Sequence, residues 1–137
     1  MHEVTRVDLS KYRLTRAKET LETAKRDLTE LDYLSANNRA YYAIFHAMRA
    51  ILALDGEDYK KHSAVIARFV QLYLKTSIFP RELSKIISNA SLIRNRSDYE
   101  DFYICSKQDT EKLVRDAEIF VKTIGEYLED QFTKTTV

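Results

Sequence analysis

Apolar residues recur along most of this chain at alternating spacings of three and four, the interval that lines one face of an α-helix. From about residue 9 to 34, Leu14, Ala17, Leu21, Ala24, Leu28 and Leu31 keep that rhythm, while Arg16, Lys18, Glu19, Glu22, Lys25 and Arg26 fill the other face. The stripe predicts a long first helix whose seam is too short for a free coiled coil and so belongs inside a bundle. Ser35 and Asn37 are good N-cap residues for a second helix over about 37–54. Its Tyr41, Ile44, Phe45, Met48, Ile51 and Leu52 make the wide apolar face of a central element. The run Asp55–Asp58 interrupts the pattern, and Gly56 suits a left-handed C-terminal cap.

A third helix is predicted over about 61–75, with Val65, Ile66, Phe69, Val70 and Tyr73 inward. Pro80 fits the first turn of a fourth helix, where its missing N–H costs nothing, and Leu83, Ile86, Ile87, Ala90 and Ile93 share a face of it. Residues 96–105, polar with Tyr99, Phe102 and Tyr103 interspersed, read as a structured loop. Ser106 and Asp109 resemble a capping box opening a last helix over about 106–130, striped by Leu113, Ala117, Phe120, Val121, Ile124 and Leu128. Gly125 inside that stripe suggests a close helix–helix contact, and Gln131–Val137 a frayed tail. The expected fold is all-α: an antiparallel up-and-down bundle of four to five helices, one domain over 1–137 with its core at about 9–130.

Composition narrows this further. A chain of 137 residues with two glycines and one proline lacks the turn residues an all-β protein of this size needs. A net charge of +1 argues against a protein that tracks a duplex through many phosphates, though a local basic cleft is compatible with it. The single Cys105 has no partner for an internal disulfide, which suits a reducing cytosol. The polar N-terminus does not read as a signal peptide. No apolar stretch approaches the roughly 18 residues that span a bilayer. A soluble cytoplasmic protein, with no membrane partner, is the expectation.

Gly-rich phosphate loops, CxxC, HExxH and G-x-S-x-G are all missing, and no metal or other cofactor is expected. Three constellations remain. Arg39, Tyr42, His46 and Arg49 share one face of the second helix, and that face reads either as a phosphate or nucleotide surface or as a core edge. Lys60-Lys61-His62-Ser63 opens the third helix, as an anion site or as a solvated helix start. Arg94-Asn95-Arg96-Ser97-Asp98-Tyr99 gathers two arginines, an amide, a hydroxyl, a carboxylate and a phenol at a helix end. Arginine forks suit phosphate oxygens. The same run equally reads as a loop fastened by Asp98 pairing with Arg94 or Arg96.

The segments NRAYYAIFHAMRAIL (Asn38–Leu52), KKHSAVIARFVQLYLKT (Lys60–Thr76) and RNRSDYEDFY (Arg94–Tyr103) together resemble the HEPN domain family. More narrowly they resemble its small stand-alone prokaryotic branch, whose members read AYYAxFHA and end the fourth helix in Arg-x-x-x-Asp-Tyr. The resemblance implies a helical bundle that forms a homodimer, commonly partnered by a minimal nucleotidyltransferase in a toxin–antitoxin module. It also implies, for many members, metal-independent RNA cleavage by an Arg-x(4–6)-His motif paired across the dimer. There the arginine binds the scissile phosphate and the histidine moves a proton. Arg94 matches the motif arginine and Asn95 the polar residue after it, so Arg94, Asn95, Arg96, Asp98, Arg39, Tyr42 and His46 are candidate phosphate- or nucleotide-binding residues.

The histidine slot holds Tyr99, followed by Glu100 and Asp101, and none of His2, His46 or His62 fills it. A phenol with an ordinary pKa near 10 is a poor proton shuttle at neutral pH. The expectation is therefore an RNA- or nucleotide-binding dimer with little or no cleavage. The alternatives are a ribonuclease toxin using Arg94 with Tyr99, Asp98 or His46, and a purely structural partner protein.

Overall fold

The computed structural model describes residues 5–135. Five helices follow one another: α1 Arg6–Thr29, α2 Tyr33–Leu54, α3 His62–Phe69, α4 Glu82–Tyr99 and α5 Lys107–Thr135. One π-helical turn, Val70–Leu74, prolongs α3. No strand occurs among the described residues, and the architecture is the expected all-α bundle. The readings made for His2 and the first four residues, and for residues 136–137, lie outside the described residues.

α1 and α2 form the tightest pair, and alanine explains why. Ala17 and Ala24 on α1 and Ala36, Ala40, Ala43, Ala47 and Ala50 on α2 are all fully buried, so the two backbones approach closely. Around that pair, Leu14, Leu21, Ile44, Met48, Ile51, Val65, Phe69, Ile87, Ile93, Leu113, Phe120, Ile124 and Leu128 make one continuous core. Burying each such side chain stabilises the fold by roughly 1.5–3 kcal/mol. The apolar stripes predicted for α2, α4 and α5 are the buried faces.

Several boundaries differ from the sequence reading, each for a local reason. α1 starts earlier, because Thr5 accepts the Asp8 N–H at 3.0 Å, and stops at Thr29 because Leu31 turns into the left-handed region at φ 64°. Asp32 N–H then donates to Asp27 C=O at 2.9 Å and Leu31 N–H to Leu28 C=O at 3.1 Å, closing a Schellman cap that normally uses glycine. Asp32, rather than Ser35 or Asn37, caps α2 by accepting the Ser35 N–H at 3.2 Å. Gly56 takes φ 78° as expected, and a Cβ there would run into the Arg6 guanidinium. Pro80 precedes the α4 cap residue Arg81 instead of lying in the first turn. Ser106 Oγ accepts the Asp109 N–H at 3.0 Å, the forward half of the capping box. α5 continues to Thr135 and buries Phe132, so the segment from Gln131 to Thr135 is helical rather than frayed. At Gly125 an added Cβ would meet Leu14 at an ordinary 3.6 Å, so the close approach does not demand glycine.

Candidate functional site

The polar run is helical, not a loop: α4 extends through Tyr99. Side chains four apart on a helix are neighbours, and two ion pairs along this last turn support it. Arg94 Nε lies 3.5 Å from Asp98 Oδ2, and Arg96 Nε donates to Glu100 Oε2 at 3.2 Å. Residues five apart are rotated by about 140°. Arg94 and Tyr99 therefore face different ways. Tyr99 stands 80% exposed, outside both cavities that Arg94 lines.

Packing of α4 on α2 lays the Arg94 guanidinium over two rings, 5.0 Å from the centre of Tyr41 and 5.8 Å from that of Tyr42. These contacts hold the side chain in place. Its Nε is buried and makes no hydrogen bond within the protein. Burial opposes the charge of Arg94, but Tyr41, Tyr42 and Asp98 outweigh it and hold the pKa above the ordinary arginine value. The cation is permanent and pre-positioned.

Arg94 lines two cavities. The larger, about 420 Å³, is a groove bounded by Thr23 and Asp27 of α1, Asn37, Asn38 and Arg39 of α2, and Arg94, Ser97 and Asp98 of α4. Arg39 and Arg94 thus contribute to one concave surface, as the sequence reading joined them. Asn37 was read as a cap, yet it is buried within α2. Its Nδ2 donates to Thr110 Oγ1 at 3.0 Å, and that hydroxyl spends its proton on Ser106 C=O at 2.6 Å. The direction of the chain fixes the amide orientation, so Oδ1 is the open acceptor, buried and unpaired beside the groove.

The smaller cavity, about 310 Å³, lies on the other side of Arg94, among Tyr41, His62, Ser63, Ser91 and Asn95. His62 Nδ1 and the Tyr41 hydroxyl are 2.9 Å apart, and the His62 ring packs on Phe45 with centroids 4.1 Å apart. Burial, then the positive charges of Arg94 and Arg49, lower the His62 pKa. Burial raises that of Tyr41, against a smaller opposing pull from Arg94.

The four-residue face of α2 splits in two. Arg39 and Tyr42 reach the Arg94 site, but His46 and Arg49 belong to a different patch. Burial, then Arg16, Arg49 and Arg13, push His46 down to about 4. Arg49 pairs with Asp58 at 2.9 Å, and Arg13 reaches the same carboxylate at 3.2 Å. His46 lines neither cavity beside Arg94. Arg96 turns outward onto Tyr103, 5.0 Å from its ring centre, and Asn95 is exposed at the rim of the smaller cavity.

No group of three or more His, Cys, Asp or Glu among the described residues could hold a metal ion. No helix among them is long and apolar enough to cross a membrane.

An arginine at the end of the fourth helix, over the tyrosines of a YYAIFHA helix, is the arrangement that the family match covers. The model of the HEPN domain matches residues 10–127. The chain belongs to the HEPN domain family. It is 34% identical to a UPF0332 protein of Thermotoga maritima over 87% of this chain and 90% of that one. Two proteins of Methanocaldococcus jannaschii are similar as well. "Putative toxin MJ0142" is 29% identical over 84% of this chain and 78% of its own length. "Putative toxin MJ0605" is 31% identical over 83% and 84%.

Proposed function

We propose that this HEPN protein binds RNA or a nucleotide through Arg94, as a homodimer working with a minimal nucleotidyltransferase in a cytoplasmic toxin–antitoxin-like module. The observation that carries the reading is the position of Arg94. A permanent cation sits on two tyrosine rings, between two cavities, with a single loose carboxylate contact at 3.5 Å. A phosphate between Arg94 and Arg39 would leave its nucleoside in the larger groove. There the open Asn37 Oδ1 accepts a base amino group or ribose hydroxyl, and Asp27 and Asp98 offer further acceptors. The toxin names of two relatives support the module. Tyr99, Phe102 and Ile104, all at least 80% exposed beside the site, support a self-association surface there.

Binding of a fluorescently labelled single-stranded RNA, followed by anisotropy, tests the reading. A charge-assisted arginine–phosphate contact is worth about 1.5–3 kcal/mol, so Arg94→Ala should weaken binding roughly 10- to 100-fold in protein that still melts cooperatively. Equal affinity for Arg94→Ala and wild type would refute it.

A further inference from the structure

The larger groove beside Arg94 has two chemically opposite kinds of lining, cations on the one hand and unpaired acceptors on the other. We infer that Asp27 and Asn37 select guanine as the base of the nucleotide whose phosphate Arg94 holds. This rests on the nucleotide-binding reading of Arg94 and adds to it the base and the residues that choose it.

The α1–α2 side of the groove is rich in acceptors and poor in donors. Asn37 lines it and is only 3% exposed, and its Oδ1 accepts nothing within the protein. Asp27, in the last turn of α1, is half-buried in the same lining, and its carboxylate makes no ion pair or hydrogen bond among the described residues. The neighbouring hydroxyls have spent their protons. Thr23 Oγ1 donates to Glu19 C=O at 3.2 Å and accepts from Arg26 at 3.1 Å, and the Ser35 hydroxyl donates to Asp32. The strong donors of the groove are the guanidiniums of Arg39 and Arg94, and the phosphate takes those.

Such a wall suits N–H groups better than O–H groups. A ribose hydroxyl that donates there keeps lone pairs that call for a donor in return, whereas a base N–H accepts nothing. Among the four RNA bases only guanine presents two adjacent donors, N1–H and the N2 amino group. Adenine and cytosine set a ring-nitrogen acceptor beside their amino group, and uracil flanks its one N–H with carbonyls. A carboxylate accepts two parallel N–H bonds, so Asp27 can take N1–H together with one amino proton, and Asn37 Oδ1 takes the other. Leu34, 59% exposed in the same lining, gives the ring an apolar contact. A base that turns an acceptor toward this wall leaves both protein acceptors unpaired, and that cost is the source of selectivity.

The test uses the full chain and a labelled oligouridine RNA carrying one central guanosine, with copies that carry inosine, adenosine or uridine at that position, each titrated by anisotropy. Inosine differs from guanosine only in lacking the N2 amino group, so the wild-type comparison needs no variant to fold. Wild type should bind the guanosine RNA about 10- to 100-fold more tightly than the inosine RNA, the factor expected for a hydrogen bond to a charged acceptor. The adenosine and uridine RNAs should bind no more tightly than the inosine RNA. Asp27→Ala should narrow the guanosine–inosine gap to within about threefold while binding the inosine RNA at least as tightly as wild type does. Loss of a merely structural residue would weaken both alike. Equal affinity of wild type for the guanosine and inosine RNAs, or an undiminished gap in Asp27→Ala that melts cooperatively, overturns the inference and leaves the binding reading standing. If wild type and Arg94→Ala bind every one of these RNAs equally, the binding reading falls and takes the inference with it.

Discussion

His46 and His62 lean on the same two rings, Tyr42 and Phe45, from different helices. On the α1 side, His46 is partly buried among Arg13, Arg16 and Arg49, and burial and these three charges all oppose its charged form. Two of those arginines are already committed to Asp58. On the α3–α4 side, His62 shares a hydrogen bond with Tyr41, and the neighbouring Arg94 has only one loose carboxylate contact. Both patches are rich in cations, but a closed ion-pair cluster and an open one are chemically different. Arg49 Nε, like Arg94 Nε, is buried without a hydrogen-bond partner, so what sets the Arg94 patch apart is the two cavities that Arg94 lines.

The sharpest way to break that comparison is to remove one arginine from each patch. Arg94→Ala should cost the roughly 10- to 100-fold in RNA affinity given above, while Arg49→Ala should leave affinity within about threefold. Arg49→Ala should instead lower the melting temperature, because it frees Asp58 from one of its two arginines and opens the packing of the Arg49 stem on Phe45, whose ring centre is 6.0 Å from the guanidinium. If Arg49→Ala weakens RNA binding as much as Arg94→Ala, the two patches form one continuous site and the distinction fails.

Acid titration separates the patches at the next scale of effect. The folded His46 has a pKa of about 4, below the ordinary 6.5 expected of the unfolded chain. Between those values the unfolded chain binds a proton that the fold refuses, so stability rises with pH across the window. It is fully present above pH 6.5 and is lost as the pH falls toward 4. His62, also lowered, acts in the same direction. Burial raises the Asp58 pKa, but hydrogen bonds from Arg49 and Arg13 outweigh it, and Arg68 and Tyr59 likewise hold Glu57 below its ordinary carboxylate range, so their losses come at lower pH. Allowing for solvent screening of a partly exposed ring, the His46 contribution is on the order of 1–2 kcal/mol. Urea unfolding at pH 6.5 and 4.5 should show a smaller difference for His46→Gln than for wild type. An unchanged difference would mean that His46 does not carry the effect.

The stripes of α2, α4 and α5 were legible because burial enforces the three-and-four spacing over many turns. The α1–α2 corner was not. Leu31 continues the stripe in sequence but adopts φ 64° and stands 66% exposed, a position where glycine would have announced the break. The polar run looked like a loop for lack of apolar residues, yet charge pairs four apart carry the helix to Tyr99. Arg94 could be found from its neighbours in the chain, since a motif is a local pattern. The Lys60–Ser63 start of α3 was a candidate in its own right, but that His62 shares a cavity with Arg94, and that Asn37 is buried, arises only where helices meet. A polar residue three positions before the AYYA stretch, on a face otherwise lined by Ala36 and Ala40, was the available sign that Asn37 lies inside the helix.

The smallest expected effect, and the finest test of the difference between the two histidines, is Tyr41→Phe. The ring stays, so the platform under Arg94 and the packing on Phe45 persist, with centroids 6.3 Å apart in the parent. What goes is one partly buried hydrogen bond, worth about 0.5–1.5 kcal/mol, and stability should fall by that much. RNA affinity should hold, because Arg94 keeps its aromatic support. The His62 ring should change most. With the hydroxyl 2.9 Å from Nδ1 the imidazole has a reason to prefer one tautomer, and without it the two forms should mix. Nitrogen-15 shifts of His62 report that directly, while those of His46, which has no such partner among its ring contacts, should not move.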